Sequence, residues 1–145
     1  MFERLADQYS IGIDPGKSTG FAVYSIAENQ LSELQTVTFW DAYNQVVTRF
    51  KPEQLTRVVI EVPNSKHVWH KAASSLRALQ RQGADVGGVV REAELLADGL
   101  ERAGYPVTRA QPRKKLGAEV FKNHTGWRDR SNQHCRDAAM LCWGR

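Results

Sequence analysis

The chain contains one device twice: a short apolar strand that runs straight into an acid, with a proline close behind. Ile11, Gly12, Ile13 and Asp14 are followed by Pro15, and Val58, Val59, Ile60 and Glu61 have Pro63 just beyond. A continuous apolar run of this length suits a strand covered on both faces, which in turn requires helices to cover it. The device therefore predicts an α/β sheet whose buried strands each end in a carboxylate. Loops open a crevice at the carboxyl ends of such strands, so two acids there on neighbouring strands would converge on one site. Like charges that close repel unless a cation lies between them, and hard divalent cations choose carboxylate oxygen. The ordinary alternative for Asp14 is turn chemistry, because Asp-Pro-Gly is a common turn opening. Glu61 is harder to treat that way, since an acid directly after a buried apolar run is costly to desolvate without a partner.

The rest of the pattern fills in the sheet. Tyr9 to Asp14, Phe21 to Ile26, Leu34 to Trp40, Val58 to Glu61 and Val107 to Ala110 read as strands, the first two joined by the tight turn Gly16 to Gly20. Helical periodicity runs over Ala42–Phe50, Ser74–Leu79 and Val89–Ala103, the last with Val89, Ala93, Leu96 and Leu100 on one stripe and Gly104 as its stop. A basic helix is expected from Pro112 to about His124. A last helix is expected from Asn132 to Trp143, capped by Ser131 or Asn132. The element order is βββαβαβα, in one domain covering residues 1–145, a length that supports a single core. The segment Gly126 to Ser131 reads as a loop, mobile by its charge and glycine content.

The last helix carries a third acid. His134, Asp137, Ala138 and Leu141 are spaced i, i+3, i+4 and i+7 and share one face, so the His and the Asp lie on the stripe that presses into the core. Imidazole with carboxylate is a competent pair for a divalent metal. A dipole-favoured Asp and a backbone-satisfied His would be the plain structural explanation.

Charge points to a polyanionic partner. The 20 Lys and Arg against 16 Asp and Glu give a net charge of +4, with a pI near 9.3. Between Arg109 and Arg136 there are eight basic residues against two acids, so the positive charge gathers in the last third. Arg113, Lys114, Lys115, Lys122, Arg128 and Arg130 are the candidate phosphate contacts there, and Lys17 joins them from the first turn. Lys66, His67, Trp69, His70 and Lys71 form a second polar cluster just after Glu61, in which Trp69 is an unusual aromatic that core packing would equally explain. Cys135 and Cys142 stand seven residues apart on one helix, too far to bridge. With no apolar run of membrane-spanning length, no signal peptide and no cysteine-based metal spacing, the reading is a soluble protein of the reducing cytoplasm.

Taken together, DPGKSTG after the first strand, an acid ending the fourth, and HxxD opening a C-terminal helix resemble the RuvC family of Holliday-junction resolvases, in its short bacteriophage-like form. The resemblance spans nearly the whole chain. It implies an RNase H-like fold, a five-stranded mixed sheet flanked by helices, and two Mg²⁺ ions for which Mn²⁺ can substitute. It also implies a homodimer that hydrolyses phosphodiesters in branched DNA. By position, Asp14 would bridge both metals, Glu61 would hold one, and Asp137 with His134 would complete the other site, His134 standing where many members carry a fourth acid. Lys114, Lys115 or Lys122 would contact the scissile region, Lys115 being taken as the catalytic lysine, and the loop with Lys66, Trp69 and Lys71 would enter the junction, Trp69 wedging against bases unless it packs in the core. The expected dimer interface is the Val89–Ala103 helix with Ser74–Leu79. Actin-like ATPases open on a similar turn, but they need a second phosphate loop and a second domain, so no nucleotide cofactor is expected. An RNA-processing nuclease of the YqgF type and a non-catalytic branched-DNA-binding protein are the remaining alternatives.

Overall fold

The computed structural model describes residues 7–63 and 76–144, without the side chains of residues 76–86. Five strands, β1 (Tyr9–Asp14), β2 (Thr19–Ser25), β3 (Gln30–Val37), β4 (Leu55–Glu61) and β5 (Val107–Ala110), form one sheet in the order β3-β2-β1-β4-β5. The β1–β2–β3 meander is antiparallel, while β4 and β5 run parallel to β1. The protein is thus an α/β domain with a mixed sheet flanked by helices. All strands but β2 run the same way, so β1, β3, β4 and β5 end at one rim.

Alternation along the strands assigns the two faces. Ile11, Ile13, Phe21, Val23, Val58 and Ile60 face helices α1 (Phe39–Arg49) and α2 (Leu76–Arg102), which bury Ala42, Val46, Ala93, Leu96 and Leu100 against them. The opposite face carries Ala22, Tyr24 and Leu31 beneath α3 (Ala118–Thr125) and α4 (Gln133–Cys142). Ser10, Gly12 and Asp14 share this second face, as do Val59 and Glu61. Both strand-end acids therefore project on the side where α4 lies.

Local chemistry explains most element ends. Thr38 caps α1, its hydroxyl accepting from the Asp41 amide at 3.2 Å, so the helix opens at Phe39 rather than Ala42 and β3 stops at Val37. Asn132 caps α4 through the Cys135 amide at 2.9 Å. Gly104, at φ +94°, ends the turn after α2. Three further differences from the sequence expectation have physical reasons. β3 begins at Gln30 because it continues the β2 ladder to Ser25. The two helices expected at Ser74–Leu79 and Val89–Ala103 are one helix of 27 residues over its described span. Its glycines each weaken a helix by only about 1 kcal/mol, and no proline interrupts it. The basic helix expected from Pro112 begins only at Ala118, since Arg113, Lys114 and Lys115 would place three positive charges at the positive end of the helix dipole. Gly117 takes the cap position instead, and Glu119 occupies the first turn. β5 is followed by two helices, α3 and α4, as the two helical segments expected there require, so the order is βββαβαβαα rather than βββαβαβα. Cys135 and Cys142 are both free and buried.

Candidate functional site

Asp14 and Glu61 end adjacent parallel strands, one step past the Ile13–Ile60 register pair. Their carboxyl groups lie near enough to hydrogen-bond to one another when one of them carries a proton. Burial raises the Glu61 carboxyl to about 8, helped by the charge of Asp14, the hydrogen bond to it and the charge of Asp137, and opposed by Lys115. Burial raises Asp14 as well, opposed mainly by its hydrogen bond with Glu61. Two acids that would both be ionised in water are here close enough to share a proton.

What brings Asp137 to them is the seating of α4. A Cβ placed on Gly12 of β1 would collide with the carbonyl of Ala138, and one on Gly20 of β2 would collide with the carbonyl of His134. The two glycines, on adjacent strands and two register positions apart, let the helix backbone lie directly on the sheet. Of the expected inward stripe, Ala138 and Leu141 are buried there, with Ala139 beside them, whereas His134 at its start is exposed, and Asp137 sits at its edge facing the acid pair. Asp137 accepts from Gln133 Nε2 at 2.7 Å. His134 Nδ1 stands 3.8 Å from Asp14 Oδ2, beyond hydrogen-bonding distance, with half its side chain exposed.

A small pocket joins Glu61 and Asp137 to Arg113, Lys114 and Lys115. The three cations reach it from the irregular segment 111–117, not from a helix. Lys115 is near enough to Asp14 and Glu61 to favour their charged forms. Arg136 fixes this segment: its Nε donates to the carbonyl of Leu116 at 3.0 Å, while Nη1 donates to the Ser131 carbonyl at 2.9 Å and hydroxyl at 3.1 Å.

No family model and no curated protein matches this chain. The site therefore rests on its geometry. Asp14, Glu61, Asp137 and Lys115 come together as expected, with His134 beside Asp14 and with Arg113 and Lys114 on the pocket wall. Lys17 is exposed in the β1–β2 turn at the same rim. Lys122 and Arg130 line a separate depression with Phe121 and Trp127, away from the acids, and Arg128 is exposed in the same loop. Lys66, Trp69 and Lys71 lie outside the described residues. Among the described residues, no group of three or more His, Cys, Asp and Glu is arranged to hold a metal ion, and no helix is long and apolar enough to cross a membrane.

Two of the eight basic residues counted in the last third are engaged within the fold. Arg109 on β5 pairs with Glu94 at 3.0 Å and with Glu101, both on α2, and Arg136 holds the cationic segment. The sequence reading missed the roles of Arg136, Gln133, Gly12 and Gly20. Only Gly12 left a signal, as a glycine inside an otherwise apolar strand.

Proposed function

We propose that this protein is a divalent-metal-dependent endonuclease of the RuvC kind, with an RNase H-like fold, acting on branched DNA. The observation that carries the reading is the convergence of Asp14, Glu61 and Asp137 at one rim, with Lys115 beside them and Arg113 and Lys114 on the same pocket wall. The five-stranded mixed sheet is compatible with that fold. Acids crowded against cations at a strand-end crevice suit a site that receives a phosphodiester and its counter-ions.

The donor set fits a hard divalent cation. Asp14, Glu61 and Asp137 offer carboxylate oxygens, and His134 offers a nitrogen beside Asp14. A cation between Asp14 and Glu61 would relieve their repulsion. Asp14 and Glu61 would hold one ion, and Asp14, Asp137 and His134 a second. Mg²⁺ matches the carboxylates, and the imidazole brings Mn²⁺ within range. When bound, such ions supply Lewis-acid activation of water and stabilisation of the leaving oxygen. The chain's own residues do the rest. Lys115, with Lys114 and Arg113, positions the substrate phosphate against the acids and offsets its charge. Gln133 orients Asp137 by a hydrogen bond to one oxygen, leaving the other free. The two-fold character of a four-way junction calls for two active sites, hence a homodimer.

A non-catalytic branched-DNA-binding protein is the second reading, favoured by the absence of a pre-arranged set of three ligands among the described residues. A cleavage assay with Mg²⁺ on a synthetic four-way junction, run beside an RNA hairpin, separates the readings. The proposal expects metal-dependent cuts in the junction. Cleavage of the RNA alone would favour an RNA-processing nuclease, and junction binding without cleavage would favour the second reading.

A further inference from the structure

The pocket at the acid rim has walls that come from different parts of the chain. Asp137 of α4 stands on one, and Arg113, Lys114 and Lys115 of the irregular segment 111–117 stand on another. A run of hydrogen bonds joins the two. The carbonyl of Leu116, next to Lys115, accepts from Arg136 Nε at 3.0 Å. Arg136 Nη2 donates to Gln133 Oε1 at 3.2 Å, and Gln133 Nε2 donates to Asp137 Oδ1 at 2.7 Å. Residues 133, 136 and 137 are spaced i, i+3 and i+4, so helix geometry puts all three on one face of α4.

The direction of every bond in this run is fixed. A guanidinium can only donate, so the end of the Gln133 amide that meets Arg136 must be its oxygen, and the amide NH₂ is left for Asp137. A carboxylate only accepts, so the run ends there. An ionised glutamate at position 133 could not donate to Asp137, and a lysine could not accept from Arg136; the glutamine amide meets both demands.

The cation wall needs this tie. Arg113, Lys114 and Lys115 are consecutive, exposed and mutually repulsive, and they lie in irregular backbone ahead of α3. Among the described residues, the bond from Arg136 to Leu116 is the one hydrogen bond that reaches residues 111–116. A phosphate drawn to the three cations offsets their repulsion. It thereby keeps Leu116 against Arg136 and, through Gln133, keeps the Asp137 carboxylate facing the acid pair.

We infer that Gln133 is a positioning residue that ties the substrate phosphate to Asp137, so that branched DNA and the divalent cation each bind more tightly when the other is present. This rests on the nuclease reading above and adds to it a coupling between its two ligands, which by linkage has the same size in either direction.

The test uses the full chain with Ca²⁺ as the cation, and binding is read before any strand is cut, as a gel of the same samples checks. Anisotropy of a labelled four-way junction, in chelator and in saturating Ca²⁺, gives the coupling, and calorimetry gives the Ca²⁺ affinity without DNA. In the wild type Ca²⁺ is expected to tighten junction binding about ten-fold. Gln133→Met, which keeps the length of the side chain and suits a helix while removing both bonds, should cut that gain to about two-fold or less. Its junction affinity in chelator should stay within about three-fold of wild type, because the Lys and Arg contacts to phosphate remain. In an Asp137→Asn background, Gln133→Met should change the gain no further, since its effect passes through that carboxylate. A ten-fold gain retained by Gln133→Met, no gain in the wild type, or an equal loss with and without the Asp137 carboxylate would each overturn the inference while leaving the nuclease reading intact. A wild type that binds neither the junction nor Ca²⁺ would instead defeat the nuclease reading itself.

Discussion

Gly12 and Ala138 meet so closely that a Cβ on the glycine would fall inside the van der Waals envelope of the alanine carbonyl oxygen. Neither partner can yield, because one is β-strand and the other helix backbone. Gly12→Ala is therefore expected to cost about 3 kcal/mol or more and to displace α4, and with it Asp137 and His134. Gly88→Ala is the matched control. It lies within α2 with no described atom within 4 Å of its would-be Cβ, so it should stabilise by about 0.5–1 kcal/mol. Urea unfolding of the two variants beside the wild type checks the contrast, and similar midpoints for both would mean that α4 does not rest on Gly12.

Glu61 makes stability depend on pH in an unusual direction. Its folded-state value, about 8, lies above the ordinary 4.5, so between those limits the folded state binds the proton more tightly than the unfolded chain does. Stability is therefore greatest below about pH 4.5 as far as this group is concerned, and it falls as pH rises toward 8. Asp14 is shifted in the same direction and adds to the trend. The site is partly open to solvent, so a loss on the order of 1 kcal/mol is expected between pH 5 and 8. Glu61→Gln should flatten the slope and raise the melting temperature at pH 8. Thermal melts in chelator across that range measure it, and a slope left unchanged by Glu61→Gln would remove Glu61 as its source.

Arg136 acts through Leu116 and Ser131, holding in place the segment that carries Lys114 and Lys115. Arg136→Lys keeps the charge but cannot reproduce the fork of donors. It is expected to lower junction cleavage at least ten-fold with a stability loss of about 1–3 kcal/mol. Lys122→Ala, on a side chain that lines a different depression, should leave the cleavage step within about three-fold while weakening binding modestly. Single-turnover rates separate the two, and equal effects on the chemical step would mean that the 111–117 segment is not where the catalytic cation lies.

The legible part of the fold was the part written by burial. Val58 to Glu61 and Ile11 to Asp14 read as buried strands because nothing polar interrupts them, and the His134, Asp137, Ala138, Leu141 stripe read as inward because its period is helical. Those signals are local, and they sufficed to bring Asp14, Glu61 and Asp137 together. What escaped depended on partners remote in sequence. Arg136 looks like one more cation until its guanidinium is seen on the Leu116 carbonyl twenty residues away. Gly20 looks like a turn residue until α4 lies on it. The start of α3 was misjudged because Pro112 suits a first helical turn, whereas three adjacent cations oppose the dipole. Trp40 read as the end of a strand because nothing in the alternation distinguishes an indole at a strand end from one that opens a helix.

On the proposed function, Asp14, Glu61 and Asp137 are the acids that would hold the metal ions of a nuclease. The most direct measurement is Mg²⁺-dependent nicking of a four-way junction by Asp14→Asn, Glu61→Gln and Asp137→Asn, each paired with gel-shift affinity for the same DNA. Each substitution is expected to reduce nicking by about 10³-fold or more, while junction binding, which rests on Lys and Arg contacts to phosphate, stays within about three-fold of wild type. Near-normal nicking by any one of the three variants would contradict the account for that residue, and near-normal nicking by all three would contradict it altogether.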